Sequence, residues 1–191
     1  MRRRTFDSLV SAAALVAAAV LLLAGVLALW SNSFISGQVH DQLAEQKIFF
    51  PAAGSEAIQG PRFEGLQQYA GQQLTSGDQA EAYANHFIAV HLGEIAGGKT
   101  YSEVSAASQA APTDPKLQAQ ANALFKGNTL RGLLLNAYAF GKVAQIALLA
   151  GFVFLAGSVL LLILSVLGFR HARLVPDDVE LGTRHPVLVE A

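Results

Sequence analysis

Two long stretches of this sequence carry no charged side chain, and this feature constrains the fold more than any other. They are residues 9–30 and residues 143–169. An α-helix rises about 1.5 Å per residue, so it needs about 20 apolar residues to cross the hydrocarbon core of a bilayer. Both stretches are long enough, and each is apolar on all sides, which is not typical of a helix in a soluble protein. We therefore predict two transmembrane helices.

The first apolar stretch could also be a cleaved signal peptide, because three arginines precede it (Arg2, Arg3 and Arg4). The apolar region of a signal peptide usually has about 7–15 residues and is followed by small residues at the cleavage site. Here the apolar run is longer and ends at Trp30, a residue type that is enriched at the membrane interface. We expect an uncleaved signal anchor.

The positive charges that flank the spans predict the orientation of the chain. Arg2–Arg4 stand before the first span, and Arg170 and Arg173 follow the second. Because Lys and Arg are enriched on the cytoplasmic side of short loops, both termini are predicted to lie in the cytoplasm, at the plasma membrane. Residues 1–8 and 170–191 would be cytoplasmic, and residues 31–142 would lie outside. Residues 170–191 show no hydrophobic periodicity and are predicted to be a disordered tail.

Two pairs of residues in the middle segment have the form of a capping box. Ser76 precedes Gln79 by three residues, and Thr100 precedes Glu103 by three. In a capping box, the first side chain accepts a hydrogen bond from the backbone of the fourth residue, whose side chain reaches back to the first backbone N–H. We therefore predict that one helix begins after Ser76 and another after Thr100.

The remainder of the middle segment is also predicted to be helical. Apolar residues recur every four positions in residues 34–47, which extend the first span, and a short helix is expected at 64–74. Asp114 begins a further helix that Gly127 is expected to end, and Asn128 or Thr129 would cap the next one. Strand patterns are nearly absent. The predicted fold is all-α, with two transmembrane helices flanking a small extracytoplasmic helical domain at residues 31–142.

Small residues and the absence of charge limit what the spans can do. Pairs such as Ala14 and Ala18, or Ala147 and Gly151, have the four-residue spacing that permits close packing of helices. Alanine is abundant throughout the chain, so this pattern alone does not predict a packing face. Without Asp, Glu, Lys or Arg inside a span, an ion pathway or a proton relay is not expected.

Composition excludes several kinds of chemistry. The chain has no cysteine, which excludes disulfides, thiolate metal sites and cysteine nucleophiles. The formal net charge of −1 argues against a nucleic-acid partner, since such proteins present a basic face. The aromatic residues of the middle segment, Tyr83 and Phe87 among them, are spaced as core residues, although a ligand pocket is lined by the same residue types.

Three residues are the candidates for a metal site: His86, His91 and Glu94. The two histidines are five positions apart, which rotates them about 140° on a helix, whereas a zinc-binding helix places its histidines four apart. Glu94 follows His91 by three residues, so these two share a face. We predict that they bind no metal, and we expect no catalytic residue and no cofactor.

Four stretches are long enough to carry a family resemblance: residues 38–51 (QVHDQLAEQKIFFP), 80–92 (AEAYANHFIAVHL), 96–101 (AGGKTY) and 129–140 (TLRGLLLNAYAF). Together with the spans, over about residues 1–173, the chain resembles a family of uncharacterised actinobacterial membrane proteins with two transmembrane helices. Some members carry an aromatic-ring-opening dioxygenase label. Such iron chemistry needs two histidines and a carboxylate on one metal. Here those ligands would have to come from His40, His86, His91 and Glu94.

Three functions are compatible with these features. The first is a non-enzymatic membrane protein whose partners are the lipid bilayer and an envelope protein, or a second copy of the chain, bound by the outer domain. The second is a sensor-like module without its own output domain, since helices join the outer domain to both spans. The third is a membrane-bound enzyme of the dioxygenase type.

Overall fold

The computed structural model of the chain describes residues 2–176 and residue 179. Within these residues every regular element is a helix, and an isolated β-bridge pairs Phe49 with Gln73. The all-α prediction is therefore confirmed. In chain order the elements are α1 (Arg3–Glu45), two 3₁₀-helices (Glu56–Ile58 and Pro61–Tyr69), α2 (Gly77–Ala82), a π-helix (Tyr83–Ile88), α3 (Ala89–Ala96), α4 (Tyr101–Ala110) and α5 (Pro115–Leu174).

The first and last helices are much longer than the others. α1 has 43 residues and α5 has 60, and each contains a stretch that is long and apolar enough to cross a membrane. α1 includes residues 34–45, as the apolar spacing predicted. α5 continues to Leu174. Residues 170–174 are therefore helical, and the disordered tail was predicted to start at too early a residue. Apart from Val175, Pro176 and Val179, the rest of that tail lies outside the described residues.

The prediction that Gly127 ends a helix is wrong. α5 runs unbroken through Gly127, and the Thr129 hydroxyl does not cap a new helix but donates to the carbonyl oxygen of Phe125, 2.8 Å away. A glycine costs only about 1 kcal/mol relative to alanine in a helix interior. At this position it also makes room, because a Cβ on Gly127 would lie 2.5 Å from Cδ2 of Leu92.

The segment predicted as a helix at 64–74 is a 3₁₀-helix instead. It spans Pro61–Tyr69 and is followed by Gly71, whose φ of 73° lies in the left-handed region. A 3₁₀-helix is tighter than an α-helix and occurs in short connecting segments. The capping boxes at Ser76–Gln79 and Thr100–Glu103 are both confirmed, with the reciprocal hydrogen bonds in place.

By its internal contacts the chain divides into two compact units. Unit 1 contains the described residues up to Ser31 and those from Ala147 onwards. Unit 2 is Asn32–Ile146. One buried cluster of unit 2 combines side chains from helices and from the loops between them, including Leu43, Phe50, Ile58, Leu66, Leu74 and Leu134. A second cluster consists of Leu92, Ala96, Val104 and Leu124.

The two helices of unit 1 pack antiparallel along a line of small residues. Ser158 donates its hydroxyl to the carbonyl oxygen of Ala18, and Ser165 donates to that of Ser11, both over 2.8 Å. The glycine of α1 in this line also meets α5 closely, since a Cβ on Gly25 would lie 3.2 Å from the carbonyl oxygen of Gly151. We call these six residues the small-residue seam: Ser11, Ala18, Gly25, Gly151, Ser158 and Ser165.

The seam has a seven-residue spacing in both helices, not the four-residue spacing that we considered in the sequence. A strict seven-residue repeat keeps one face of a helix against its partner in a left-handed pair. Of the pair considered earlier, Ala18 is buried in the seam, whereas Ala14 is only half-buried. Sequence analysis missed the seam because its two halves are about 140 residues apart in the chain.

Candidate functional site

Unit 2 contains a half-open cavity of about 850 Å³, which we call the groove. Ligand pockets in proteins have volumes of about 300–1,000 Å³, so the groove has the size of a site for a small molecule. Its walls are one face of α1, the π-helix with the start of α3, and one face of α5. The apolar side chains that contribute most of its lining include Phe34, Val39, Phe87, Leu92, Leu133 and Phe140.

The α1 wall has an apolar row and a polar row. The apolar row is Ile35, Val39 and Leu43, the spacing that predicted a helix in residues 34–47. Beside it runs a row of glutamines at the same four-residue spacing, exposed at the rim of the groove, and Nε2 of Gln42 donates to Oε1 of Gln38 over 3.4 Å. The rim thus offers neutral hydrogen-bonding groups from Gln38, Gln42 and Gln46.

Three stacked rings form a second wall. Tyr83, Phe87 and His91 follow one another at four-residue intervals, with ring centroids 4.7 Å and 4.5 Å apart. Tyr83 and Phe87 belong to the π-helix, a rare element that occurs frequently at functional sites. Burial raises the pKa of the Tyr83 hydroxyl, so that this group stays protonated and neutral. Sequence analysis expected these aromatic residues in the core; Tyr83 and Phe87 do pack against the core of unit 2, and they also line the groove.

His91 adds two ring nitrogens to this wall. Its Nδ1 lies 2.8 Å from the carbonyl oxygen of Phe87. Because a carbonyl oxygen can only accept a hydrogen bond, Nδ1 carries the proton and donates it. The ring also packs against Phe63, with the centroids 5.8 Å apart. Backbone and ring contacts therefore hold the imidazole in one orientation at the groove.

The other candidate metal ligands lie elsewhere. His86 packs against Gly65, where an added Cβ would lie 2.9 Å from Cδ2 of the imidazole. Glu94 forms an ion pair with Arg62, with 2.9 Å between Oε1 and NH1. His40 is exposed on α1. Across the part of the chain that the structure describes, no three His, Asp or Glu side chains are placed to hold one metal ion.

Charge is absent from the groove lining. None of the described residues that line it is Asp, Glu, Lys or Arg. Several charged residues adjoin the lining residues in sequence, but they do not line the groove themselves: Asp41, Lys47, Lys126 and Arg131. Lys142, two residues after Phe140, has its Nζ 2.9 Å from Oδ1 of Asp78. This ion pair joins the first turn of α2 to α5. The groove can therefore accommodate apolar groups and neutral polar groups, but it offers no counter-ion.

The groove itself could not be found in the sequence, because apolar residues that line a cavity have the same spacing as those that fill a core. Exposure was the missing signal: Leu133 and Phe140 are 60% and 59% exposed, although they stand on the apolar face of α5. A comparison with known proteins finds no matching family model, no matching curated protein and no matching solved structure.

Proposed function

We propose that this chain is a non-enzymatic binding protein, held in the plasma membrane by two spans, whose groove takes an apolar ligand of the lipid class. The observation that carries the proposal is the groove, with about 850 Å³ of half-open space and an uncharged, mainly apolar lining. Each buried CH₂ group of such a ligand contributes about 0.8 kcal/mol to binding. The residues that line a groove of this kind supply affinity by contact area and need no reaction chemistry.

The position of the lining residues along the helices favours a lipid. Phe34 follows the end of the first predicted span by about one helical turn, and Phe140 precedes the start of the second by about one turn. Both residues line the groove. A molecule that already resides in the bilayer is therefore the ligand with the highest local concentration.

The proposal includes the orientation predicted from Arg2–Arg4, Arg170 and Arg173, with both termini in the cytoplasm and residues 31–142 outside. It supposes no enzymatic role, because His86, His91 and Glu94 each have a separate structural contact. Stoichiometric iron in the purified protein would overturn this last point and would support the dioxygenase interpretation. Membership of the actinobacterial family stays a prediction.

Filling the groove tests the proposal directly. Ala137 lines the groove on α5, whereas Ala139, two residues later, is exposed and lies outside the lining. We expect native mass spectrometry of the full chain in a non-ionic detergent to show one bound lipid-like molecule in the wild type. The substitution Ala137→Phe should abolish binding, and the matched variant Ala139→Phe should retain it. Equal binding by both variants would contradict the proposal.

A second candidate occupant is a helix of an envelope protein. Leu130, Leu133 and Phe140 on the rim are each more than half exposed, as expected of a groove that an amphipathic helix covers. A mild-detergent pull-down of the tagged chain distinguishes the two candidates. Enrichment of one membrane protein that is lost in Ala137→Phe and kept in Ala139→Phe would favour the helix. Recovery of the chain alone with bound lipid would favour the lipid.

A further inference from the structure

His91 lines the groove next to Phe87 and contributes two ring nitrogens to this wall. Nδ1 donates its proton to the carbonyl oxygen of Phe87, and in the neutral form of an imidazole with this tautomer the other nitrogen, Nε2, carries a lone pair that accepts a hydrogen bond. In the described part of the chain, no side chain or backbone group donates to Nε2. The contacts of the ring with Phe63 and Phe87 fix its plane, so the position of this acceptor is set before any ligand binds.

A ligand that covers His91 removes water from Nε2. An acceptor that loses its water without gaining a donor opposes binding, whereas a ligand with a donor at that point restores the hydrogen bond. A pure hydrocarbon would therefore bind less well than a molecule of the same length with a hydroxyl group. The acceptor discriminates for the hydroxyl in the same way that a buried polar group in an enzyme pocket rejects an analogue without it.

The lining also discriminates against charge. A carboxylate or a phosphate in the groove would lose hydration and find no Lys or Arg among the described lining residues. The glutamines at the rim, Gln38, Gln42 and Gln46, supply neutral amide groups to any further hydroxyl on the ligand. Together these features define the chemical class as a neutral lipid with a hydroxyl at its polar end.

We infer that the groove binds an uncharged lipid bearing a hydroxyl group, which donates a hydrogen bond to Nε2 of His91. The class includes long-chain alcohols and acylglycerols. This inference rests on the proposed function, because it names the ligand class for the same groove. His91 is thus a specificity-determining residue whose Nδ1 contact with Phe87 positions the acceptor.

Three probes of equal chain length test the inference: dodecanol, dodecane and dodecanoate, titrated calorimetrically into the full chain at a fixed concentration of non-ionic detergent. The wild type should bind dodecanol about tenfold more tightly than dodecane, as one hydrogen bond supplies, and more tightly than dodecanoate. His91→Phe keeps an aromatic ring next to Phe87 but removes the acceptor. It should lower the affinity for dodecanol about tenfold and leave that for dodecane unchanged.

Two controls accompany these variants. His91→Gln retains an acceptor and should restore most of the preference for the alcohol, whereas His86→Phe changes a histidine outside the groove lining and should leave all three affinities unchanged. If His91→Phe does not fold, the relative affinities of the wild type for the three probes still test the inferred ligand class. Equal binding of the probes, or an unchanged preference in folded His91→Phe, would overturn the inference and leave the proposed function standing. No binding of any probe would overturn both.

Discussion

The hydroxyl of Ser158 donates a hydrogen bond to the carbonyl oxygen of Ala18 between two antiparallel helices, and both residues are almost fully buried. The same contact recurs between Ser165 and Ser11. In a hydrocarbon environment a hydroxyl has no water to bond with, so a serine on a helix is satisfied by a carbonyl of its own or of a neighbouring helix. These two hydrogen bonds fix which residues of the predicted spans face each other.

Engineered cysteines test this pairing. The natural chain has no cysteine, so a pair introduced at Ala18 and Ser158 is free of competing thiols. We expect Ala18→Cys with Ser158→Cys to form a disulfide under mild oxidation, because both positions lie in the small-residue seam where the backbones approach closely. After proteolytic cleavage within residues 31–142, a non-reducing gel would show the two fragments linked. The control pair Ala18→Cys with Val159→Cys should stay unlinked, since Val159 is 56% exposed. Equal linking of both pairs would contradict the register.

A glycine contact in unit 2 predicts an asymmetric response to alanine. A Cβ on Gly77 would lie 3.2 Å from the carbonyl oxygen of Ala137 and from Cα of Gly141, whereas a Cβ on Gly132 meets nothing within 4 Å. We expect Gly77→Ala to lower the melting temperature, because neighbouring backbone has to move. Gly132→Ala should leave it unchanged or raise it, since alanine is favoured in a helix interior by about 1 kcal/mol. Thermal unfolding of the two variants in the same detergent decides, and equal shifts would show that the Gly77 contact is unimportant.

The Asp78–Lys142 pair predicts a titration. The hydrogen bond from Lys142 lowers the pKa of Asp78 below its ordinary value, and the same bond raises the pKa of Lys142. Stabilisation by the Asp78 carboxylate is thus complete above the ordinary pKa of aspartate and is lost as the pH falls through the lowered value. Lys142→Met should raise the pKa of Asp78 towards its ordinary value, as measured by NMR of ¹³C-labelled carboxyl groups. Lys126→Met, which removes a charge from another part of α5, should not. An unchanged Asp78 titration in Lys142→Met would contradict the pair.

Orientation in the membrane can be tested with single cysteines. Ala53 is exposed in the loop after α1, and Leu174, at the end of α5, is 78% exposed. If residues 31–142 lie outside the cytoplasm, a membrane-impermeant maleimide should label Ala53→Cys in intact cells. It should label Leu174→Cys only after the membrane has been disrupted. The reverse pattern would place the helical domain in the cytoplasm and overturn the orientation.

Features set by local sequence were the ones that could be predicted. The capping boxes at Ser76 and Thr100 need only four consecutive residues, so the pattern contains the whole interaction. The apolar stretches of α1 and α5 likewise depend on composition within one helix. The prediction failed at Gly127, where the local signal for a helix end was outweighed by the hydrogen bonds of a long helix and by the contact with Leu92.

The groove and the small-residue seam depend on residues that are distant in the chain. The groove brings α1 and α5 together with the π-helix, and neither the spacing of Phe87 nor that of Leu133 distinguishes a cavity wall from a core. The contact of His91 with the carbonyl oxygen of Phe87 is local in sequence. Whether the ring can contact a ligand depends on the open space beside it. No pattern within one helix indicates that space.

The seven-residue spacing of the small-residue seam limits how the hairpin can adapt to bilayers of different thickness. Losing a single residue from α5 before Ser158 would rotate every later position by about 100° and bring Val159 to where Ser158 now meets Ala18. Only the loss of seven residues from both helices preserves the contact, and each such step shortens a span by about 10 Å. Natural membranes differ in thickness by only a few ångströms. In a thinner bilayer the two helices would therefore have to tilt together, because their length cannot be reduced by a few residues without losing the contact.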